Sequence, residues 1–324
     1  DFEAPDEGKA SANSLLDEGV DVLFGAGGKT GNGALVAVRE RAEAGDPVAG
    51  IGVDVDQYYT LPTEKGILLT SVEKRLDNAV FTTVQDAKDG NFGGGGLYVG
   101  TLQNDGVGLA PFHDWDDRVS DEMKAELEDI RAGLIAGTIS TGWGVAAEEP
   151  EPEVTTEFKV GMISDVGGVD DASFNQTTWE GLERADSELE GVTAQFLESQ
   201  AQADYENNIT EFAEQGYDMV ITVGFLLGDA TGKMAEVYPD LMFGIIDFAY
   251  DPPIPNVQGI VFNTDEASFL GGYLAAGTAM QLDPDDPQVG YVGGMQIPPV
   301  EIFFVGFESG IAYYNEQKGA DVKV

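Results

Sequence analysis

Three apolar runs in this chain lead into an aspartate: Gly50-Ile-Gly-Val-Asp54, Gly244-Ile-Ile-Asp247, and Lys159–Ser164 followed by Asp165. An ionised carboxylate only accepts hydrogen bonds, and at the end of a buried strand it is held in place. It suits the hydroxyl and ring N–H donors of a polar ligand. Asp165 also opens Asp165-Val-Gly-Gly-Val-Asp-Asp-Ala-Ser-Phe-Asn175, which combines flexible glycines, carboxylates, an aromatic ring and an amide. Asp170 and Asp171 fit the role of acids at a helix N-terminus, where they satisfy unpaired N–H groups. Asp165 is the stronger binding candidate.

Other groups carry less. Gly25-Ala-Gly-Gly-Lys-Thr-Gly-Asn-Gly33 invites a phosphate-loop reading, but Leu23 stands where the Walker pattern needs its first glycine. Thr30 likewise stands where the dinucleotide fingerprint needs its third. A backbone-lined turn facing a neutral ligand is the better reading. Asp283-Pro-Asp-Asp-Pro287 lacks the glycine and distal glutamate of a calcium loop and reads as a solvated turn. His113, the lone histidine, lies in the loop-like Pro111-Phe-His-Asp-Trp115, and the chain has no cysteine. Disulfides, thiolate sites, cysteine nucleophiles and histidine-rich metal sites are therefore excluded. No metal and no cofactor are expected.

These groups sit on an acidic background. Sixteen basic against 59 acidic residues give a net charge of −43, yet 42% of the residues are hydrophobic. The charge therefore lies on the surface of a folded protein. Such a field repels nucleic acid, and no basic run offsets it. Scarce lysine and evenly spread acid read as adaptation to molar salt, where screening acts over about 3 Å; an acidic protein from an ordinary source is the alternative. No segment approaches the ~18 apolar residues of a membrane span, so the chain as given is expected to be soluble, with a removed leader or lipid anchor left open.

The elements that must position these groups follow from the hydrophobic pattern. Candidate strands are Val20–Gly25, Val48–Val53, Ile67–Val72, Lys159–Ser164, Thr193–Leu197, Met219–Val223, Met242–Ile246, Val257–Phe262 and Val289–Val292. Helical periodicity fills the gaps, which predicts an α/β protein with parallel sheets covered on both faces. Ser14-Leu-Leu-Asp-Glu-Gly-Val-Asp-Val-Leu-Phe-Gly25 is echoed by Glu211-Phe-Ala-Glu-Gln-Gly-Tyr-Asp-Met-Val-Ile221. Each copy reaches a strand ending in aspartate about 30 residues later. Two similar lobes are expected, with Asp54 and Asp247 directed at a shared cleft beyond the strands' carboxyl ends. Ala146–Thr156 is acidic and Pro-rich, as a solvated linker would be.

Gly161–Gln176 with Trp179-Glu-Gly181, Glu266-Ala-Ser-Phe-Leu-Gly-Gly-Tyr-Leu-Ala275, Val292-Gly-Gly-Met-Gln-Ile-Pro-Pro299, Gly52-Val-Asp-Val-Asp-Gln57 and Leu69-Thr-Ser-Val-Glu-Lys-Arg75 together resemble the basic membrane protein, or purine nucleoside receptor A, family of substrate-binding lipoproteins. The resemblance spans nearly everything outside the linker, but in rotated order. The family's first segment starts here near Phe158, and residues 1–143 follow its segment ending near Val324. A circular permutation is expected, with about five residues of a family strand lacking between Val324 and Asp1. A gap in the numbering or a crossing between subunits would look the same.

The resemblance implies a type I periplasmic-binding-protein-like fold: two Rossmann-like lobes joined by a hinge. It implies a first lobe of 158–262 plus about 55–92, a second of 263–324 plus 1–54 and 93–143, and a linker of 144–157. By position, Phe174 and Phe2 would sandwich a purine base, while Asp165, Asn175 and Asp247 supply polar contacts. Asp54 and Lys74 would hold ribose hydroxyls, and Met295 would line the pocket. Lys29 is one residue inserted into the family's glycine run, which leaves its role open. The implied function is a nonenzymatic, extracellular, lipid-anchored receptor that hands a purine nucleoside to an ABC transporter permease. Three aspartates against one lysine should reject phosphates, so nucleosides should bind better than nucleotides. The rivals are a nucleoside hydrolase and a structural subunit of an extracellular homopolymer whose unpaired sheet edge recruits a neighbour.

Overall fold

The computed structural model describes residues 2–141 and 158–324; the linker expected at 144–157 lies outside the described residues. In chain order the elements begin with α1 (Pro5–Asp17), β1 (Val22–Ala26), α2 (Gly28–Ala44), β2 (Ala49–Asp54), α3 (Gln57–Thr60) and β3 (Leu68–Lys74). Next come α4 (Leu76–Lys88), β4 (Leu97–Gly100), β5 (Val107–Leu109), α5 (Asp121–Ile135), β6 (Phe158–Ile163), α6 (Phe174–Glu188) and β7 (Val192–Leu197). The chain continues with α7 (Tyr205–Glu214), β8 (Met219–Thr222), α8 (Gly228–Val237), β9 (Met242–Ile246), β10 (Val257–Phe262), α9 (Thr264–Leu282), β11 (Val289–Gly293) and α10 (Pro298–Lys318).

The described residues divide into two compact units, one of 2–74, 101–141 and 263–324, the other of 75–100 and 158–262. The first holds a five-stranded sheet ordered β11-β1-β2-β3-β5, parallel except for β5. The second holds a six-stranded, wholly parallel sheet ordered β4-β10-β9-β8-β6-β7. β1, β2, β3 and β8 are buried along their entire length. That is why they read as continuous apolar runs rather than alternating ones: helices cover both faces of the sheet.

Pairing sets the division differently from the expected boundaries. Residues 55–74 belong to the first unit, because β3 aligns with β2 (Val53 opposite Val72, Asp54 opposite Glu73). Residues 93–100 belong to the second, because β4 aligns with β10 (Val99 opposite Val261). Neither β4 nor β5 is among the predicted strands. β4 is an edge strand led in by Gly93–Gly96, and β5 has three residues.

The internal echo has a structural meaning. Asp21, before β1, accepts a hydrogen bond from the Gln288 N–H (3.0 Å), and its own N–H donates to Gln288 O (2.9 Å). Asp218, before β8, repeats both bonds with Lys159, at 2.8 and 2.9 Å. Each aspartate fastens the start of its strand to the neighbouring strand.

In the first unit Phe24 is fully buried among Tyr291, Phe303 and Phe307, with ring centroids 5.3 to 6.2 Å away. Gly272 of α9 and Gly310 of α10 lie against opposing backbone carbonyls, Phe307 O and Phe269 O, where no Cβ could fit. The two helices therefore pack backbone to backbone.

Candidate functional site

In the second unit β6, β8 and β9 are consecutive neighbours and run in parallel, so their carboxyl ends share one edge. The chain leaves β6 outward to β7, then returns across β6 to β8, so the winding reverses between β6 and β8. In open α/β sheets such a reversal opens a crevice that takes ligands. Asp165 lies two residues beyond β6, Gly224 two beyond β8, and Asp247 directly after β9.

Gly224 holds a positive φ of 100°, and a Cβ there would sit 3.2 Å from Phe174 Cε1 and 3.9 Å from Asp165 Oδ2. The bare backbone thus lets the half-buried Phe174 ring lie beside the Asp165 carboxylate. Asn175 is fully buried, and its amide donates to Asp165 Oδ1 (2.8 Å) and Asp171 Oδ2 (3.1 Å). Both amide hydrogens are then spent, while its Oδ1 is buried without a hydrogen-bond partner. A buried acceptor left unmatched costs on the order of 1–3 kcal/mol.

Asp171 is the helix acid the sequence suggested. It accepts from the backbone N–H groups of Ser173, Asn175 and Gln176 at 2.9 to 3.1 Å. Burial pushes its carboxyl up to about 6 in spite of these bonds. Asp170 is exposed. Tyr205 is buried nearby; desolvation and then the Asp165 charge push its hydroxyl up to about 12.

The first unit carries the remaining candidates: Phe2, Asp54, Lys74 and Met295. Asp54 ends β2 at φ 65°, and Asp247 in the other unit stands at φ 57°. Left-handed backbone is uncommon outside glycine, though aspartate tolerates it better than most residues. Such outliers cluster at functional positions. Lys74 is 3% exposed, with its Nζ 3.9 Å from Asp54 Oδ1 and 5.3 Å above the Phe303 ring.

Gln57 closes the stretch Gly52-Val-Asp-Val-Asp-Gln57, just after β2. It is fully buried, and its Oε1 accepts from Val53 N–H (3.1 Å) while its Nε2 donates to Asn32 Oδ1 (2.9 Å). Its own N–H donates to Ser71 Oγ (3.1 Å). One side chain therefore ties the end of β2 to the first turn of α2, and its backbone to β3. Gly52 makes room for it, since a Cβ there would stand 2.7 Å from Gln57 Oε1. The signal was the Asp-x-Asp-Gln pattern just after a buried strand.

Phe2 packs on bare glycine, its ring against Gly294 and its Cβ 3.6 Å from where a Cβ on Gly28 would lie. Met295 follows Gly294 and is half-buried. Phe2 O accepts the Thr30 N–H (3.0 Å), and Gly31 N–H donates to Gly27 O (3.1 Å). Two amides that a phosphate loop would offer at the start of α2 are thus consumed internally. Lys29 Nζ lies 3.1 Å from Glu3 Oε2. Both facts weigh against phosphate binding at the glycine run. His113 Nε2 bonds Asp56 Oδ2 (2.7 Å) and its ring stacks on Tyr58 at 4.0 Å, which secures the loop after β2. Asp283 Oδ1 accepts from the N–H groups of Asp285 (3.1 Å) and Asp286 (3.2 Å), an ordinary turn contact.

The family model described as "ABC transporter substrate-binding protein PnrA-like" matches residues 1–142 and 158–324. The chain belongs to this family and has its two-unit α/β, type I periplasmic-binding-protein-like fold. It is similar to the ABC transporter nucleoside-binding protein BmpA of Lactococcus lactis, 32% identical over 53% of this chain and 48% of that protein. Basic membrane protein B of Borreliella burgdorferi is 32% identical over 49% of this chain and 47% of its own length. An uncharacterised lipoprotein of Pyrococcus horikoshii is 33% identical over 62% and 50%. The chain thus spans about half the length of the curated relatives it matches. A solute-binding protein of an Aeropyrum pernix ABC transporter is 33% identical and aligns over 52% of this chain and 47% of its own, with a TM-score of 0.48.

Proposed function

We propose that this protein is the nonenzymatic receptor of an ABC importer and that its ligand is a purine nucleoside. The observation that carries the reading is the unmatched, buried Asn175 Oδ1 on the side chain whose amide bonds Asp165, the carboxylate that flanks Gly224 together with the Phe174 ring. An aromatic face next to acceptors suits a flat base that presents ring N–H donors. Stacking contributes about 1–3 kcal/mol per base, and bonds to ionised carboxylates add charge assistance. In this reading Phe2 is the second stacking ring, Asp247 a further base contact, Asp54 and Lys74 the ribose contacts, and Met295 apolar lining. The carboxylates and the internally spent glycine-run amides favour nucleosides over nucleotides.

The names of the relatives support a cell-surface, lipid-anchored receptor working with a membrane permease. The match in two pieces, either side of the acidic Pro-rich stretch, is compatible with a rotated segment order. Sequencing the gene from native genomic DNA tests that order directly.

Calorimetry in molar KCl with guanosine, inosine and adenosine tests the ligand. Micromolar or tighter binding of at least one is expected, with the matching 5′-monophosphate much weaker. Millimolar or no binding for all three overturns the reading. Release of free base during incubation with inosine would instead support the hydrolase.

A further inference from the structure

A cavity of about 420 Å³ lies wholly within the first unit, walled by Leu69, Trp115, Val119, Met123 and Leu274, with Arg118 among its lining residues. Leu69 is the second residue of β3, at the opposite end of that strand from Lys74. The cavity is thus distinct from the candidate nucleoside residues, and its volume falls in the range of small-molecule sites. The five wall residues are buried and apolar. The one polar atom of the Trp115 indole, Nε1, donates to Gly66 O (3.1 Å), so the ring offers the cavity only hydrocarbon.

Arg118 differs from the arginines that pair with acids. Arg39, Arg41 and Arg184 each meet carboxylates. Among the described residues Arg118 forms no salt bridge, although the chain carries 59 acids. Its Cζ instead lies 4.4 Å from the Trp115 ring centroid. Held over the ring and exposed, the guanidinium has no carboxylate partner among the described residues, and its fork of N–H donors is suited to receive a carboxylate bidentately.

We infer that this cavity binds a small amphipathic monocarboxylate, with its hydrocarbon part between Trp115, Met123 and Leu274 and its carboxylate on Arg118. Aromatic acids and medium-chain fatty acids share this chemistry, and two probes separate them: 3-phenylpropionate and octanoate. The full chain is titrated with each, and with octan-1-ol as the uncharged comparator, by calorimetry and tryptophan fluorescence. Saturable binding of at least one acid is expected, and the acid that binds tighter identifies the tail. Arg118→Gln should weaken that acid by about tenfold or more and leave octan-1-ol unchanged. Thr278→Met, which adds bulk at another lining position, should weaken acid and alcohol alike, with circular dichroism verifying the fold. No saturable binding of either acid at millimolar concentration overturns the inference. So does an Arg118→Gln variant that binds the acid as tightly as the unaltered protein.

Discussion

Truncating Phe174 tests the site at its aromatic face. The ring opens α6 and leans on Gly224, whose missing Cβ would stand 3.2 Å from Phe174 Cε1. Phe174→Ala removes one stacking face and leaves Asp165, Asn175 and the helix acid in place. Base stacking contributes about 1–3 kcal/mol, and each 1.4 kcal/mol is about tenfold in affinity. The dissociation constant for the best nucleoside should therefore rise by about 5- to 150-fold. The ring is only half-buried in the free protein, so stability should change far less than affinity. Calorimetry measures the first and thermal unfolding the second. Gly224→Ala sharpens the test, because it keeps the ring but presses a methyl group against it and strains a backbone at φ 100°. If the ring's position matters, Gly224→Ala should also weaken binding, and the double variant should be little worse than Phe174→Ala alone. An unchanged dissociation constant in Phe174→Ala, with the fold intact, would remove the ring from the site and with it the stacking argument.

Three further outcomes follow from the same geometry. Asn175→Asp replaces both amide donors to Asp165 and Asp171 with a third carboxylate in a buried cluster; it should abolish nucleoside binding and lower the melting temperature, and raising the ligand concentration should not restore a wild-type isotherm. Gln57→Ala leaves the buried Val53 N–H without its acceptor and removes the donor to Asn32 Oδ1, so it should cost about 1–3 kcal/mol in chemical denaturation and weaken ligand binding through Asp54. Burial, followed by repulsion from Asp283 and Asp286, pushes the Asp21 carboxyl up to about 6, opposed by its bond from Gln288. A raised acid makes the folded state bind more protons than the unfolded one between pH 4 and 6, so its contribution to stability grows as pH falls through that window. Asp21→Asn should accordingly raise the melting temperature at pH 7 and flatten the pH profile between 4 and 6; an unaltered profile would refute the assignment.

All nine predicted strands form, most of them because a strand buried on both faces leaves an uninterrupted apolar run; the edge strand β7 is largely open to solvent. β4 and β5 left no such run, since glycines and three-residue length erase the pattern. The expected boundaries failed for another reason: a strand's unit is fixed by its hydrogen-bonded neighbour, β2 for β3 and β10 for β4, and pairing leaves no local mark. The placement of Asp54 and Asp247 at strand ends was legible from the internal echo, whereas their left-handed backbone was not. Asp171 was readable as a helix acid because it stands just before a helical pattern. Phe2 has no periodic context and became a candidate only through resemblance to the family. Gln57 gave no sign of its part because two of its three bonds reach segments distant in sequence, at Asn32 and Ser71.

The left-handed turn at Asp54 and Asp247 narrows the routes by which this scaffold could diversify. Asparagine or glycine can inherit either position without rebuilding the main chain, while a β-branched substitute would have to unwind the bend that aims it. Exchange for asparagine keeps an acceptor but surrenders the negative charge, and glycine surrenders both. In the proposed recognition, new specificities are therefore more easily acquired at the aromatic and amide positions, and the two acidic corners should persist wherever it is kept.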